Sequence, residues 1–326
     1  MTVRLRCSAT DLVRVRFAIS PMFETREAVR LLTAGKQGSP HGRWIRDARG
    51  RSTGLDLTGL AALSPKRGYS PDFLSPPPAG PETTFEDELE QVRGTSPAQV
   101  RAEIARSLDD RSNLPRGLEW LLGNAGEALA RLADSLSVAW ETLVHPKWTM
   151  TRDVLEADIA YHGRRSARYG VNALFLGLDD RLTWDDESGT LELHTRVEEE
   201  RDLDGAGLVL MPSCFVWPNL VAVTERPWRP TVVYPARGIG ELWSDPTQRD
   251  PATGLARLLG TRRAAILLVL GSPSTTSRLA RAMAMSPAAV SEHLGVLHDA
   301  GLVNRTRVGR SVEYQRTPRG SALVQD

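Results

Sequence analysis

The residues with the most informative chemistry lie on one predicted helix, residues 287–300. At about 100° per residue, its apolar side chains share one face: Val290, Leu294 and Leu297. The opposite face is small and polar: Ala288, Ser291, Glu292 and Gly295, with Ala289 beside them. Alanine can contact a thymine methyl group, serine can donate or accept a hydrogen bond, and glutamate can accept one from a cytosine amino group. This pattern predicts a helix that contacts bases in the major groove of double-stranded DNA.

The start of this helix favours a second contact, with a phosphate. Ser286 is a suitable N-cap residue, and Pro287 suits the first helical position. The free backbone amides and the helix dipole attract an anion there, so we predict a DNA phosphate near Ser286. His293 lies at the edge of the polar face, where a phosphate contact and a structural hydrogen bond both remain open.

Two further helices are predicted before this one. Residues 255–270 favour a helix, and Ser274 or Thr275 caps a second helix that runs through Met283. Two helices joined by a tight turn are the DNA-binding pair of a helix-turn-helix. Thr275 and Thr276, at the start of the second helix, are therefore counted among the predicted DNA contacts.

A hairpin is predicted after the third helix, over residues 302–316. Residues 302–307 and 311–316 alternate in polarity around a turn that contains Gly309. Three arginines at or near the tip are predicted to contact phosphates or the minor groove: Arg305, Arg307 and Arg310. Three other side chains are expected to seat the hairpin on the helices: Val303, Val312 and Tyr314. The alternative is a module that contacts only protein.

The charge distribution agrees with a polyanionic partner. The formal net charge of the chain is +1, but the segment from Leu255 onward carries +6 and the residues before it carry −5. A basic segment that follows an acidic body is a common feature of nucleic-acid binding. Charge alone is equally consistent with an ordinary solvated surface.

Length and composition indicate a folded protein. The 326 residues suffice for two or three domains, and 41% of them are hydrophobic. The longest apolar run, AAILLVL at 264–270, is too short to cross a bilayer, and arginines interrupt the first residues where a signal peptide would be apolar. We therefore expect a cytoplasmic protein with no membrane partner.

The residues before the basic segment combine helical and strand patterns. Four segments favour helices: 85–93, 97–108, 117–144 and 149–168. From Arg181 to Tyr234 apolar residues recur with period two, as in a small, mainly antiparallel sheet. The prolines of residues 75–81 suggest an extended connector. The predicted fold is α+β, with three parts: a mixed helical and antiparallel-sheet N-terminal domain (1–245), a linker (246–254) and a C-terminal winged helix-turn-helix (255–326).

Other candidate sites leave alternatives open. Four tryptophans of the predicted sheet could line an apolar pocket or pack in the core: Trp184, Trp217, Trp228 and Trp243. Cys214 could be a thiol sensor or a buried structural cysteine. Cys7 and Cys214 are the only cysteines, and the histidines 145, 162 and 194 lack ligand spacing. The sequence therefore predicts no metal site and no cofactor.

Two resemblances follow from these motifs. SPAAVSEHLGVLHDAGLV (286–303) and RTRVGRSVEYQRTPRG (305–320) resemble the recognition helix and wing of ArsR-type winged-helix repressors. Four upstream motifs are similar to an uncharacterised domain that precedes such winged helices in actinobacterial regulators: RVRFAISPMFET, YSPDFLSPPP, FVWP and VVYPARG. The first resemblance implies DNA binding and repression, whereas the second implies no known ligand.

The sequence departs from the metal-sensing members of the ArsR family. The helix TTSRLARAM (275–283) has no cysteine, histidine or acidic residue, and no final helix is expected after the wing. Metal sensing at those positions is therefore disfavoured. A homodimer remains expected, because one recognition helix contacts too few base pairs to be selective, and it would pair through the N-terminal domain or residues 255–270.

The sequence thus predicts a homodimeric, cytoplasmic DNA-binding regulator of the ArsR type, a repressor rather than an activator. The N-terminal domain would hold the dimer and sense a small-molecule effector. The competing hypothesis is an enzyme of unknown chemistry in the N-terminal domain, with the winged helix as a tether, although no convergent set of catalytic residues is apparent.

Overall fold

The computed structural model describes residues 1–34, 40–65, 68–109, 114, 116–195, 198–243 and 251–324, without the side chains of residues 109, 241 and 251–254. Within these residues, no helix is both long enough and apolar enough to cross a membrane.

The first half of the chain is mainly helical. Its elements are β1 (Thr2–Arg6), α1 (Ala9–Val13), β2 (Arg16–Phe17), α2 (Pro21–Ala34), α3 (Gly42–Arg51), α4 (Thr58–Ala62), α5 (Phe85–Arg93), α6 (Pro97–Asp109), α7 (Ala125–Ala139) and α8 (Trp148–Leu178). Single 3-10 or π turns occupy Asp72–Leu74, Glu119–Leu122, Trp140–Val144 and His145–Lys147. Strands follow: β3 (Leu182–Asp185), β4 (Thr190–His194), β5 (Glu199–Asp202), β6 (Val209–Ser213), β7 (Val221–Val223) and β8 (Thr231–Pro235), and then the short helix α9 (Ile239–Leu242).

The predicted helices agree with the structure where caps define them. α5 has the predicted bounds, because Thr84 and Asp87 form a reciprocal capping box before it. The predicted helix over 117–144 is wrong in one respect, since it is interrupted before α7. Asn124 caps α7, and its side chain accepts a hydrogen bond from the Gly126 amide at 2.9 Å.

α8 is a helical hairpin and not one straight helix. Gly170 has φ +80° and ψ 176°, which are not helical and suit glycine. A Cβ atom on Gly177 would lie 3.2 Å from Arg165 Nε and 3.5 Å from His162 Nδ1. A straight helix would separate residues 162 and 177 by roughly 20 Å. The chain therefore doubles back at Gly170.

α2 lies in the middle of the helical layer, where it buries carboxylates as well as apolar side chains. Glu24 is fully buried and accepts a hydrogen bond from the Cys214 amide at 3.0 Å. Glu88 of α5 accepts one from the Met22 amide at 2.8 Å. Burial raises the pKa of each carboxyl group to about 8. These two groups therefore connect α2 to the end of β6 and to α5.

The strands form two sheets in the N-terminal domain. The first has the order β3-β4-β1-β5, with antiparallel pairs except between β1 and β5. The second has the order β2-β6-β8-β7, in which β2, β6 and β8 are parallel. The mixed helical and antiparallel-sheet class is confirmed. The prediction of a single sheet is wrong, because β3, β4 and β5 belong to one sheet and β6, β7 and β8 to another. β6 and β8 are buried on both faces, as central parallel strands are.

The segment 75–81, which the sequence predicts as an extended connector, is buried over residues 75–78, whereas residues 79 and 81 are exposed. Residues 71–78 are all buried, and the Pro78 carbonyl oxygen accepts a hydrogen bond from Arg16 Nη2 at 3.0 Å. Prolines lack an amide donor, so they leave fewer backbone groups to satisfy when they are buried. This segment is part of the packed N-terminal domain.

The C-terminal elements are α10 (Pro251–Leu259), α11 (Thr261–Val269), β9 (Ser274–Thr275), α12 (Thr276–Ala282), α13 (Pro287–Asp299), β10 (Val303–Val308), β11 (Ser311–Arg316) and α14 (Pro318–Ala322). The strands pair in the order β10-β11-β9. The predicted single helix 255–270 is wrong, because Gly260 (φ +85°) divides it. The predicted linker is also corrected: α10 begins at Pro251, and residues 246–250 lie outside the described residues. The short helix α14 follows the wing, where none was expected.

Glu24→Gln is expected to flatten the pH dependence of stability between about pH 5 and 8. The pKa of Glu24 rises from 4.5 to about 8 on folding, so in this window only the folded state holds the proton. The free energy of unfolding therefore falls as the pH rises. The substitution should remove up to about 1.4 kcal/mol per pH unit from that slope, as measured by urea denaturation at several pH values.

The matched control is Glu86→Gln, since Glu86 is an exposed carboxyl group on α5. Its slope should equal that of the unmodified protein, because an exposed side chain is in water in both states. A Glu24→Gln protein with an unchanged slope would contradict the assignment of a buried, protonated Glu24.

Candidate nucleic-acid interface

The helix pair α12 and α13 is built from caps and a small apolar contact. The Thr275 hydroxyl accepts a hydrogen bond from the Arg278 amide at 3.2 Å, and the Ser286 hydroxyl accepts one from the Ala289 amide at 3.2 Å. Six buried side chains join the two helices to each other and to the core: Leu279, Ala280, Ala282, Val290, Leu294 and Leu297. Gly301, with φ +68°, ends α13 as predicted.

α13 presents the predicted small, polar face to solvent. Five residues of this face are exposed: Ser286, Ala288, Ser291, Glu292 and Gly295. Ala289 is half-buried beside them. Within the described residues this side of the helix is open to solvent, and its contact with DNA remains a prediction.

His293 lies at the side of this face, toward the start of α11. It lines an open groove of about 460 Å³ together with Leu259, Gly260, Thr261, Arg262 and Arg263. Its Nδ1 atom is buried and has no hydrogen-bond partner among the residues that the structure describes. Both uses of His293 that the sequence left open are compatible with this position.

The wing places three arginines in solvent. Arg305 and Arg307 lie on β10, opposite Tyr314 and Val312, and Arg310 follows Gly309 in the turn. All three arginines are exposed. Tyr314 packs against the core as predicted, but Val312 is 42% exposed and does not seat the hairpin. Val312 shares the face of β11 with Tyr314 but lies two residues nearer the turn of the hairpin.

The N-terminal domain contacts α12 through residues 177–181, which are the end of α8 and the turn after it. We call the contact of these residues with Thr275, Arg278 and Arg281 the α8–α12 junction. The Thr275 hydroxyl donates to the Asp180 carboxylate, and Arg278 Nε donates to it at 3.0 Å. Arg281 Nη1 lies 3.8 Å from the same carboxylate.

The contact of Thr275 with DNA stays a prediction, because in this conformation Thr275 has another partner. Thr275 is buried, and Asp180 occupies its hydroxyl group. Thr276 is half-buried. The sequence alone does not indicate this contact, because 95 residues separate Asp180 from Thr275 and no periodic pattern links them.

A second carboxylate, Asp179, fixes the turn that carries Asp180. Arg181 binds it in a bidentate manner, with Nε at 2.8 Å and Nη2 at 2.9 Å, and Arg181 Nη1 donates to the Pro218 carbonyl oxygen at 3.0 Å. Burial alone would raise the pKa of Asp179, but the hydrogen bonds from Arg181 outweigh it and leave the pKa below its ordinary value.

Further hydrogen bonds and apolar contacts beside the junction join the N-terminal domain and the winged helix. The Gly238 amide donates to the Arg281 carbonyl oxygen at 3.1 Å, and Arg281 Nε donates to the Gly177 carbonyl oxygen at 3.2 Å. A Cβ atom on Gly240 would lie 2.6 Å from Met283 Sδ. Apolar side chains of α2, α9 and α11 belong to the same cluster of buried residues. The winged helix is therefore packed directly against the N-terminal domain.

The tryptophans and Cys214 are mainly structural in this arrangement. Trp217 and Trp243 are buried, and Trp243 packs against Phe215 with ring centroids 5.5 Å apart. Trp184 and Trp228 are half-buried. Burial raises the pKa of the Cys214 thiol well above its ordinary value, so a reactive thiolate is disfavoured. Among the described residues, no cluster of His, Cys, Asp and Glu could hold a metal ion.

The helix pair, the three-stranded wing sheet and their exposed arginines define a winged helix-turn-helix, a class of DNA-binding domain. Residues 260–305 match the family model described as bacterial regulatory protein, arsR family. Residues 118–240 match a family of unknown function, DUF5937. The C-terminal part therefore resembles the DNA-binding domain of arsR-family transcription regulators, and an uncharacterised domain precedes it.

Both resemblances inferred from the motifs are thus confirmed. FVWP and VVYPARG fall within the matched residues of the N-terminal domain, whereas RVRFAISPMFET and YSPDFLSPPP precede them. No curated protein and no solved structure gives a significant match to the chain.

Asp179→Asn is expected to lower the free energy of unfolding at pH 7 by roughly 3 kcal/mol, because Arg181 would keep its charge without a carboxylate partner. Since the pKa of Asp179 is lowered on folding, this contribution is present above the unfolded value of 3.8 and is lost as the pH falls below it. Chemical denaturation at pH 7 measures the change.

Asp204→Asn provides the control, since the ion pair of Asp204 with Arg226 is exposed. The loss there should be below about 1 kcal/mol. If both substitutions cost the same free energy, the Asp179–Arg181 pair does not determine the stability of the junction.

Proposed function

We propose that the protein is a cytoplasmic, sequence-specific repressor that reads the major groove with α13 and contacts the backbone or the minor groove with the wing. The observation that carries this proposal is the exposed pair of surfaces: the small, polar face of α13 and the arginines of the β10–β11 hairpin. The arsR-family match over residues 260–305 supports the same assignment.

The side chains of α13 suit base recognition. Ala288 and Ala289 allow close approach and can contact a thymine methyl group, whereas Ser291 and Glu292 supply hydrogen-bonding groups. Ser286 and the first amides of α13 suit a phosphate. Because the buried side chains of α13 lie on one face, the opposite face can enter a groove while Val290, Leu294 and Leu297 stay packed in the core.

The wing supplies charge without sequence selectivity. Arg305, Arg307 and Arg310 are exposed, and a guanidinium group can bind a phosphate or enter a narrow minor groove. Their contribution should fall with salt concentration, since each phosphate contact releases counterions.

The homodimer is part of this proposal, because two recognition helices double the number of base pairs that are read. α10 is a suitable contact surface. Its Leu258 is 71% exposed, although Leu255 on the same helix is buried. An apolar side chain of this size at an exposed helical position gains free energy when a second copy covers it.

We propose that the N-terminal domain regulates DNA binding through a small-molecule effector and does not catalyse a reaction. The α8–α12 junction supports a regulatory contribution, because it connects the domain to α12 by charged contacts. The raised pKa of Cys214 and that of Cys7, at about 12, speak against a cysteine nucleophile. A ligand-dependent rise in the melting temperature of the whole protein would identify an effector.

The test of DNA binding is a genomic pull-down followed by gel shifts on the recovered fragments. Discrete operators should appear, and their affinity should fall steeply with salt. Ser291→Ala and Glu292→Gln should change the preferred base at one position by about 1–3 kcal/mol. Arg307→Ala with Arg310→Ala should weaken binding to all sequences and reduce the salt slope by about 2.

The control for the wing is Arg101→Ala with Arg152→Ala, which removes two exposed charges of the N-terminal domain. These changes should leave the salt slope almost unaltered. Binding that is indifferent to sequence would contradict a regulator that recognises operators, and unaltered binding by both pairs of variants would contradict the assigned interface.

Leu258→Glu is expected to shift the protein from dimer to monomer, because it places a charge in the proposed contact. Analytical ultracentrifugation over a range of concentrations measures the dissociation constant, which should rise by at least about tenfold. Val13→Glu, at an 87% exposed position on α1, is the control. A Leu258→Glu dimer as stable as the unmodified one would exclude α10 from the interface.

A further inference from the structure

Asp180 receives a set of donors that is unusual for a surface carboxylate. The Thr275 hydroxyl, Arg278 Nε and Arg281 Nη1 all approach it, and the side chain of Asp180 is 22% exposed. A hydroxyl group and guanidinium groups are also the donors that proteins direct at DNA phosphates. The carboxylate therefore occupies a site whose chemistry suits a phosphate.

The position of Asp180 in the fold also supports its similarity to a DNA phosphate. Thr275 and Arg278 lie at the start of α12, the first helix of the pair, and that helix crosses the DNA backbone when the second enters the major groove. The donors at this position are thus the ones a bound duplex would approach. In the present conformation Asp180 holds them.

We propose that Asp180 is an internal substitute for a DNA phosphate, so that the closed α8–α12 junction reduces DNA affinity and DNA binding opens the junction. This inference rests on the proposed DNA-binding function and adds its regulation. A phosphate replaces the carboxylate at Thr275 and Arg278, and the end of α8 separates from α12. An effector that favours the closed junction would weaken DNA binding by the same factor by which DNA weakens the effector.

The geometry allows the exchange because the two carboxylates have different partners. Asp179 receives its hydrogen bonds from Arg181 within its own turn, and Arg281 of α12 adds only a charge interaction. Asp180 instead pairs with Thr275, Arg278 and Arg281 of α12 and its cap, and Arg278 is 14% exposed. Opening the junction therefore exposes one carboxylate, which water can hydrate, and two guanidinium groups, which water or a phosphate can contact.

Asp180→Asn tests the inference, because asparagine keeps an oxygen for the Thr275 hydroxyl but removes the charge. The probe is a short duplex DNA of arbitrary sequence, titrated at several salt concentrations with the full-length protein. The affinity should rise about tenfold, and the salt slope should become steeper by about 1. Asp153→Asn, an exposed acid on α8, controls for the change in net charge.

Arg278→Ala separates a phosphate substitute from a purely structural contact. It breaks the same ion pair, but it removes the group that a phosphate would use, so DNA affinity should not rise. In the Asp180→Asn background it should cancel the gain. Equal strengthening by Asp180→Asn and Arg278→Ala would overturn the inference, and so would an Asp180→Asn affinity no higher than that of Asp153→Asn.

Hydrogen exchange on the unmodified protein gives a test that does not depend on a folded variant. The Gly238 amide, which donates to the Arg281 carbonyl oxygen, should exchange faster when duplex DNA is bound. Unchanged or slower exchange would overturn the opening of the junction. If neither the unmodified protein nor Asp180→Asn binds the duplex, the proposed function itself fails. Binding by both without a difference overturns only this inference.

Discussion

The position of the winged helix depends on two adjacent carboxylates in the turn after α8. Asp179 is buried, and its bidentate ion pair with Arg181 compensates the loss of hydration that a buried charge suffers. This pair holds the backbone of the turn, so that the neighbouring Asp180 points at α12.

Buried carboxyl groups with hydrogen-bond partners also connect the elements of the helical layer. Glu24 and Glu88 are buried beside α2, where backbone amides take the place of water around their oxygens. Glu24 binds the backbone at the end of β6. Phe215, which follows this strand, packs against Trp243, and both side chains belong to the same cluster of buried residues as the core of the winged helix. The N-terminal domain and the DNA-binding elements therefore share one packed interior.

Two groups of arginines in the winged helix have different surroundings. Arg305, Arg307 and Arg310 extend into solvent from a two-stranded ribbon and are available to a polyanion. Arg278 and Arg281 are largely covered and are compensated by the acidic turn of the N-terminal domain. The net charge of the segment, counted from its sequence, does not distinguish these groups, although the first is exposed and the second is engaged by the acidic turn in this conformation.

The sequence by itself determined the local elements of the interface. Ser286, Pro287 and Gly301 define the ends of α13 through caps, and its 3.6-residue periodicity separates the buried face from the exposed one, since both effects act within a few residues. Only the tertiary structure decided the parallel second sheet, the hairpin at Gly170 and the contact of Asp180 with Thr275. These depend on residues far apart in the chain, which carry no mark of their partners until packing brings them together.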